Sequence, residues 1–209
     1  MNDPHRPVLQ CVVLAAGRST RLGRNKALLR IHGLSPLKRM VRLLSGLGTG
    51  PVIVVVPPRA HRLRQELATE AALCVTNRHH ASGLGSSVRR GLDAARHARS
   101  ALLVPVDLVR LSPRDLARLV ACARAHPRAV VARRLGGTPA TPLILPQRLR
   151  KATQALRGDH GLRQVFRRTL MAEVRTLELP SAAADLDTPA DLRAARSLRM
   201  LAATRHLRR

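Results

Sequence analysis

Aromatic side chains are almost absent from this 209-residue sequence, which has no tryptophan, no tyrosine and a single phenylalanine, Phe166. Proteins that bind single-stranded nucleic acid stack bases on aromatic rings, so this mode of binding is excluded here. Long apolar runs are also missing, and without a stretch of about 18 apolar residues we expect no membrane span. The amino-terminal residues lack the pattern of a signal peptide, and we therefore expect a cytoplasmic protein.

Cysteine is scarce as well. Cys11, Cys74 and Cys122 are odd in number and scattered along the chain. Such spacing fits neither a disulfide framework nor a zinc site. We expect all three to be small core residues in a reducing cytosol.

Acidic residues are few, at 12 against 38 lysines and arginines, and the formal net charge is +26. So high a charge is typical of nucleic-acid-binding proteins, which makes this one alternative function. However, lysine occurs only at Lys26, Lys38 and Lys151, and the arginines spread over nearly every segment instead of forming one stripe. This spread indicates a compositional bias of the whole chain. We therefore expect only non-specific binding of polyanions at low salt.

One stretch, residues 12–26 with the sequence VVLAAGRSTRLGRNK, combines the features of an anion-binding loop. The short, β-branched run from Cys11 to Ala16 predicts a buried parallel strand that stops at Gly17. Small residues then let backbone N–H groups approach an anion, and four cations can neutralise it: Arg18, Arg21, Arg24 and Lys26. Open α/β sheets present phosphate sites at such strand ends.

Two common phosphate-binding motifs do not fit this loop. A Walker loop has four residues between its glycines and a lysine directly after the second. Here five residues separate Gly17 from Gly23, and Lys26 lies three positions further on. The dinucleotide fingerprint G-x-G-x-x-G is also absent from this strand end.

The pattern LAAG-x-S-x-R-L-G-x-x-K resembles instead the signature loop of the molybdenum cofactor cytidylyltransferase-like, or MobA-like, NTP transferase family. The resemblance implies that the loop wraps the triphosphate of an NTP and that Arg21 and Lys26 act in catalysis. It also implies a second segment, N-x-x-x-x-x-G-L-x-S-S, that lies against the base and ribose. The nucleotide-binding residues implied by both segments are Leu14, Ala15, Ala16, Gly17, Arg18, Ser19, Gly23, Lys26, Gly83, Ser86 and Ser87.

Two aspartates complete the implied site. Asp107 directly follows a predicted strand, at the edge of the sheet where ligands bind. Asp187 lies in the run DLDTPAD, where Thr188 and Asp191 are predicted to form a helix capping box. The resemblance assigns Asp107 and Asp187 to a bound Mg²⁺ and leaves Asp185 as a further candidate.

Other positions show how far the resemblance extends. The family follows the first aspartate with x-Pro, whereas Leu108-Val109 stands here, and Ala140-Thr141-Pro142 replaces its usual Gly-His-Pro. These departures support the alternative of a catalytically weakened accessory relative. The family's G-D-x-G turn is matched by Gly158-Asp159-His160-Gly161, in which Asp159 is either a helix cap or a substrate contact. His79 and His80 have no partner at metal-ligand spacing and are interpreted as solvated.

The order of predicted elements indicates a three-layer α/β/α, Rossmann-like nucleotidyltransferase fold with a mostly parallel central sheet. Strands are predicted at residues 11–16, 52–56, 72–76, 101–106, 129–132, 142–145 and 174–179. Helices are predicted to begin at about residues 36, 59, 83, 113, 162 and 192, with a glycine-proline turn at 134–141. The second of these helices is predicted to end at residue 71 and the last at 207. We expect a single domain over residues 8–207 after a short tail, 1–7.

These features predict a nucleotidyltransferase that moves NMP from an NTP to an oxyanion acceptor and releases pyrophosphate. The LAAG sequence, against LAGG in the guanylyltransferase branch, favours CTP, and the resemblance implies molybdopterin with bound molybdenum as the acceptor. Mg²⁺ is the expected cofactor, and a molybdoenzyme or its accessory chaperone is the implied protein partner. We expect a monomer that does not bind membranes. The alternatives are the use of GTP and transfer to a sugar phosphate or another small phosphate.

Overall fold

Seven strands form the central sheet, in a computed structural model that describes residues 8–17, 19, 22–153, 173–183 and 185–197. They are Leu9–Leu14 (β1), Val52–Val56 (β2), Ala72–Thr76 (β3), Ser100–Pro105 (β4), Val130–Leu135 (β5), Thr138–Pro146 (β6) and Val174–Leu177 (β7). Their order across the sheet is β3-β2-β1-β4-β6-β5-β7. Every predicted strand is present, although most ends differ from the prediction by a few residues.

The half of the sheet that carries the predicted site is parallel. β1 pairs with β2 on one side and with β4 on the other, and β2 pairs with β3. All five residues of β2 are buried, as expected for a strand covered on both faces. Parallel pairing places Leu14 opposite Pro105, so β1 and β4 end side by side. The glycine loop and Asp107 therefore leave the sheet at the same edge.

The other half of the sheet differs from the prediction. β6 runs antiparallel to both of its neighbours, β4 and β5, whereas β7 is parallel to β5. The turn predicted over residues 134–141 is wrong, because β5 and β6 form a β-hairpin with Gly136-Gly137 as its loop. Both glycines have positive φ, which two-residue hairpin loops of this type require. The sheet remains mostly parallel.

Within the described residues, the α-helices are Pro36–Ser45 (α1), His61–Glu66 (α2), Leu84–Ala94 (α3), Pro113–Ala125 (α4) and Pro189–Ser197 (α5). α1 and α4 begin at the predicted residues, where Ser35 and Ser112 cap them by accepting hydrogen bonds from backbone N–H groups in the first turn. The helix predicted over residues 59–71 is too long, since Ala71 O already accepts a bond from β2 (2.9 Å). The helix predicted from residue 162, the turn at 158–161 and residues 198–207 lie outside the described residues.

Helices cover the sheet on both faces, because successive strand residues point to opposite sides. On one face, Val13 and Val54 pack with apolar residues of α1, α2 and α4. On the other face, Val12 and Val55 pack with apolar residues of α3. This arrangement confirms the three-layer α/β/α fold.

The three cysteines lie in or beside the core, as predicted. All three cysteines are unpaired; Cys11 is fully buried, and Cys74 and Cys122 pack at the margin of the same core. In the part of the chain that the structure describes, no helix combines the length and the apolar character that crossing a membrane requires.

Candidate active site

The loop after β1 closes on itself at the carboxyl edge of the sheet. Ala15 still bonds to β2 through its N–H (2.9 Å), and Gly17 is the first exposed residue. Ser19 Oγ accepts a hydrogen bond from the backbone N–H of Lys26 (3.1 Å). This bond joins the beginning of the loop to its end and fixes where the Lys26 side chain starts.

The middle of the loop contains a turn at Gly23. Its φ is +63°, a conformation in which a side chain would be strained, so the turn back toward Lys26 favours glycine. The predicted nucleotide-binding Arg18 and the predicted catalytic Arg21 lie outside the described residues.

Lys26 lies at the centre of the site. Its Nζ donates to Asp107 Oδ2 (2.5 Å) and to Asp187 Oδ1 (2.9 Å), which are 81 and 161 positions further along the chain. The side chains of Lys26 and Asp107 are 16% and 17% exposed, and that of Asp187 is 41% exposed. The structure thus brings together the predicted lysine and both predicted aspartates.

The two carboxylates stabilise the charge of Lys26. Burial by itself lowers the pKa of Lys26, because desolvation disfavours the charged form. Attraction and hydrogen bonding by Asp107, and then by Asp187, more than offset burial and raise the pKa of Lys26 above its ordinary value. Lys26 is therefore a cation at neutral pH, held between two carboxylates.

Packing after β4 places Asp107. The N–H of Val106 bonds to Leu14 O (3.2 Å), which extends the pairing of β4 with β1. Asp107 O accepts a bond from the Leu186 N–H (3.1 Å) and so ties the two aspartate-bearing segments together. Val109, where the family has proline, is buried with Leu186 in a small apolar cluster. The loop after Asp107 thus has an apolar anchor despite the missing proline.

A complete capping box fixes the backbone of Asp187. Thr188 Oγ1 accepts from the Asp191 N–H (3.2 Å), and Asp191 Oδ2 accepts from the Thr188 N–H (2.7 Å), as predicted. Asp191 Oδ2 also accepts from the Asp187 N–H (3.1 Å). Hydrogen bonds from Thr188 and from the backbone of Asp187 keep the pKa of Asp191 below its ordinary value. The box therefore orients the segment while the Asp187 carboxylate faces Lys26.

Asp185 faces an arginine that the sequence analysis missed. Its Oδ1 lies 3.7 Å from the guanidinium of Arg133, a β5 residue whose side chain is only 4% exposed. Burial raises the pKa of Asp185 and the nearby Asp107 raises it further, whereas Arg133 acts in the opposite direction. An arginine directly after the apolar run Val130–Ala132 of β5 was the available signal.

The second predicted segment is organised by Asn77, which is buried. Its Nδ2 donates to Ser86 Oγ (2.9 Å) and Ser87 Oγ (3.1 Å), and its Oδ1 accepts from the His79 N–H (2.9 Å). Ser86 Oγ also donates to Gly83 O (2.9 Å). These bonds hold the start of α3, where backbone N–H groups have no partner within the helix.

A cavity of about 470 Å³ lies between the glycine loop and the start of α3. The predicted site residues in its lining are Leu14, Ala15, Ala16, Gly17, Ser19, Lys26, Gly83, Ser87 and Asp107. Asp187 is joined to this cavity through Lys26. Ser86 lines a neighbouring groove with Asn77, and Gly23 lies outside the lining. The part of all these residues in nucleotide binding stays a prediction.

His80 also lines the cavity, and its interpretation as solvated is wrong. The ring is half-buried, and its Nδ1 is buried without a hydrogen-bond partner among the described residues. His79, in contrast, is exposed as predicted. His80 reaches the cavity from the short helical turn His80–Ser82, and no periodicity in the sequence signals such a turn.

The acid pair suits a divalent cation. Asp107 and Asp187 present their oxygens to one nitrogen and so already hold a single cation between them. Mg²⁺ and Mn²⁺ prefer such oxygen ligands, and one or two carboxylates suffice when water and phosphate oxygens complete the shell. Within the residues that the structure describes, no group of three or more His, Cys, Asp or Glu could hold a metal by itself. The donors therefore fit a metal that is bound together with a phosphate ligand.

Known proteins resemble this chain over most of its length. Residues 11–174 match the MobA-like NTP transferase domain. The nicotine blue oxidoreductase of Paenarthrobacter nicotinovorans is 31% identical over 175 residues, which cover 80% of this chain and 85% of that protein. The probable molybdenum cofactor guanylyltransferase of Opitutus terrae is 30% identical over 172 residues, with coverage of 80% and 83%.

Solved structures share the fold. Rv0371c from Mycobacterium tuberculosis H37Rv has a TM-score of 0.77 and 23% identity, over 92% of this chain and 99% of that one. The same protein in complex with manganese has a TM-score of 0.70 and 22% identity, with coverage of 91% and 99%. The domain match spans the glycine loop, the start of α3 and Asp107. The chain therefore belongs to the MobA-like NTP transferase family and is a nucleotidyltransferase.

Proposed function

We propose that this protein transfers the nucleoside monophosphate unit of an NTP, with CTP as the first candidate, to the molybdenum cofactor. The observation that carries the proposal is the contact of Lys26 Nζ with both Asp107 and Asp187 beside the cavity of the glycine loop. A cation and two acids that suit a metal thus adjoin a loop whose backbone can approach an anion.

The transfer needs no covalent intermediate on the protein. A phosphate oxygen of the acceptor forms a bond to the α-phosphorus of the NTP. The bond from that phosphorus to the bridging oxygen breaks, and pyrophosphate leaves with its electron pair. Lys26 and Arg21 neutralise the charge that develops on the α-phosphoryl and pyrophosphate groups, which is a major source of rate enhancement in such sites. The loop over residues 16–23 binds the phosphates through its backbone.

Asp107 and Asp187 are the residues that would hold Mg²⁺. Bound there, the metal would neutralise phosphate charge and orient the nucleotide. The manganese complex of Rv0371c supports a divalent cation in this fold. Lys26 Nζ contacts both carboxylates that would hold the metal. We therefore infer that Nζ would leave these carboxylates to a bound metal and would contact phosphate oxygens of the nucleotide.

The nucleotide has two candidates. The sequence Leu14-Ala15-Ala16-Gly17 favours CTP, whereas the name of the Opitutus terrae relative favours GTP. Isothermal titration of CTP, GTP, ATP and UTP in the presence of Mg²⁺ separates them. Binding of CTP about tenfold tighter than GTP, a difference of about 1.4 kcal/mol, supports cytidylyl transfer. Tighter binding of GTP replaces it with guanylyl transfer.

The acceptor is inferred from the family and from the same relative's name. The decisive experiment measures pyrophosphate release for each NTP with the molybdenum cofactor and with several sugar phosphates, and identifies the product by mass. Because another relative is named an oxidoreductase, a dye-reduction assay is run in parallel. Release of pyrophosphate with a nucleotidylated molybdenum cofactor supports the proposal. Absence of release with every pair would refute it.

A further inference from the structure

We propose that Arg133 is a positioning residue for the metal-side carboxylate. It fixes the segment formed by residues 180–183 and 185–187, here called the aspartate strap, so that Asp187 meets Asp107 across Lys26. The inference rests on the proposed function in assigning Asp107 and Asp187 to a metal. It adds a residue on β5, outside both nucleotide-binding segments.

Arg133 occupies an irregular position of β5. The pairing of β5 with β6 shifts register between Ala132 and Arg133, and such irregularities redirect side chains. The Arg133 guanidinium donates to Ala182 O and lies 3.7 Å from Asp185 Oδ1. Because the side chain is only 4% exposed, the guanidinium has lost most of its hydration, and these contacts offset that desolvation cost. They attach the aspartate strap to β5.

A second anchor holds the same strap from α4. Asp115 Oδ2 accepts hydrogen bonds from the N–H (2.9 Å) and the hydroxyl (2.7 Å) of Ser181. Ser181 Oγ in turn accepts from the Ser112 N–H (2.9 Å). Ser181 and Ala182 are neighbours, so the turn Pro180–Ala182 is fixed on one side by a helix and on the other by Arg133.

Arg133 differs from the α4 anchor because its charge faces the site. The bond from the Leu186 N–H to Asp107 O (3.1 Å) brings Asp185 and Asp187, on either side of Leu186, close to Asp107. Lys26 contacts two of them, and Arg133 supplies the cation for Asp185. Without Arg133, repulsion of Asp185 by the other two carboxylates would push the strap outward and carry Asp187 with it.

The test compares Arg133→Met, which removes the charge and the donors, with the wild type. Binding of Mn²⁺, alone and with each NTP, is measured by electron paramagnetic resonance, and the KM for the NTP is measured separately. Residues that orient metal ligands typically affect metal affinity by about 10- to 100-fold. We therefore expect the Mn²⁺ Kd to rise about tenfold or more while the KM for the NTP changes by less than about twofold.

Two further variants separate positioning from a general loss of structure. Arg133→Lys keeps the charge and should recover part of the Mn²⁺ affinity. Arg134→Met is the matched control, because Arg134 is the next residue of β5, is 50% exposed and lies 3.7 Å from Glu178. It should bind Mn²⁺ like the wild type.

Ser181→Ala loosens the strap from the α4 side without touching the buried guanidinium. Loss of the two hydrogen bonds of its hydroxyl should raise the Mn²⁺ Kd by about threefold. The proposal is overturned if folded Arg133→Met binds Mn²⁺ like the wild type, or, should that variant not fold, if Ser181→Ala leaves the Kd unchanged. Mn²⁺ binding requires no turnover, so a lack of pyrophosphate release would count against the proposed function and not against this role of Arg133.

Discussion

The two ends of the central sheet carry cavities of similar size and opposite character. The cavity at the carboxyl end, of about 470 Å³, contains Lys26, Asp107 and the hydroxyls of Ser19 and Ser87. The cavity at the amino end, of about 550 Å³, begins beside Leu9 and has a mostly apolar lining that includes Val120 of α4 and Ile144 of β6. The larger of these two cavities thus lies away from Lys26 and the aspartates. Charge and backbone donors identify the site better than volume does.

The difference follows from the direction of the strands. Parallel strands gather the loops that follow them at one edge, where loops can carry functional side chains. The glycine loop after β1 and Asp107 after β4 meet there because Leu14 lies opposite Pro105. At the other edge, Leu9 lies opposite Ser100, and the neighbouring side chains complete the apolar core.

Replacement of Lys26 is expected to have the largest effect. Lys26→Ala should lower kcat/KM for pyrophosphate release by at least about a hundredfold, or on the order of 3 kcal/mol in the barrier. The physical reason is the loss of a cation beside developing phosphate charge. Lys38→Ala is the matched control, because Lys38 pairs with Glu70 (3.2 Å) away from the cavity. Full turnover by Lys26→Ala would show that the carboxyl-end cavity has been given the wrong role.

Gly91→Ala should separate stability from the site. Gly91 lies in α3, and an added Cβ would approach Val12 Cγ1 to 2.6 Å and Val55 Cγ2 to 3.2 Å. Because β-branched side chains in a packed core move little, we expect a loss of about 2 kcal/mol in the free energy of unfolding. Unfolding is followed by circular dichroism, since the chain has no tryptophan or tyrosine to report by fluorescence.

Gly17→Ala provides the opposite case. Among the described residues, an added Cβ at Gly17 meets nothing within 4 Å, so the free energy of unfolding should stay within about 0.5 kcal/mol of the wild type. The methyl group would, however, hinder the close approach of a phosphate, and NTP binding should weaken. Equal destabilisation by the two substitutions would contradict the packing of α3 on β1 and β2 described above.

Local signals made part of the fold predictable. The run VIVVV between Pro51 and Pro57 predicted β2 to the residue, and Ser35-Pro36 predicted the start of α1. The β5–β6 hairpin was missed because prolines at positions 139 and 142 favour a turn. Both prolines are tolerated because they lie in the earlier part of β6. Among the described pairs, β4 pairs with β6 only from Leu143 onward, so this earlier part has β5 as its one partner strand.

The candidate site also contains residues that the sequence predicted and residues that it did not. Lys26, Asp107 and Asp187 stand in motifs, so the resemblance identified them although 161 residues separate the first from the last. Arg133 and His80 belong to no motif. Their orientation depends on a register shift and on a short helical turn, and neither feature leaves a periodic pattern in the sequence. The positions of these two side chains depend on tertiary contacts, which residue type alone does not predict.

Asp187→Asn should alter the pH dependence of stability. In the folded protein Asp187 helps to raise the pKa of Lys26 above its ordinary value of 10.5. A raised lysine pKa stabilises the fold below the ordinary value, and this contribution is lost as the pH rises through the folded pKa. The wild type should therefore lose more stability than Asp187→Asn between neutral pH and strongly alkaline pH. Denaturant unfolding followed by circular dichroism measures both, and parallel losses in the two proteins would rule out the coupling.

The smallest effect is expected at the amino-end cavity. Ala123 of α4 lines this cavity and packs against the core from its margin. Ala123→Leu should fill part of the space and raise the free energy of unfolding by about 0.5 kcal/mol, as cavity-filling substitutions commonly do. Pyrophosphate release should not change, because the cavity lies at the opposite edge of the sheet from Lys26. A tenfold fall in kcat/KM at unchanged stability would mean that the two cavities are energetically coupled. The amino-end cavity would then influence the reaction, and the contrast drawn between the two ends would fail.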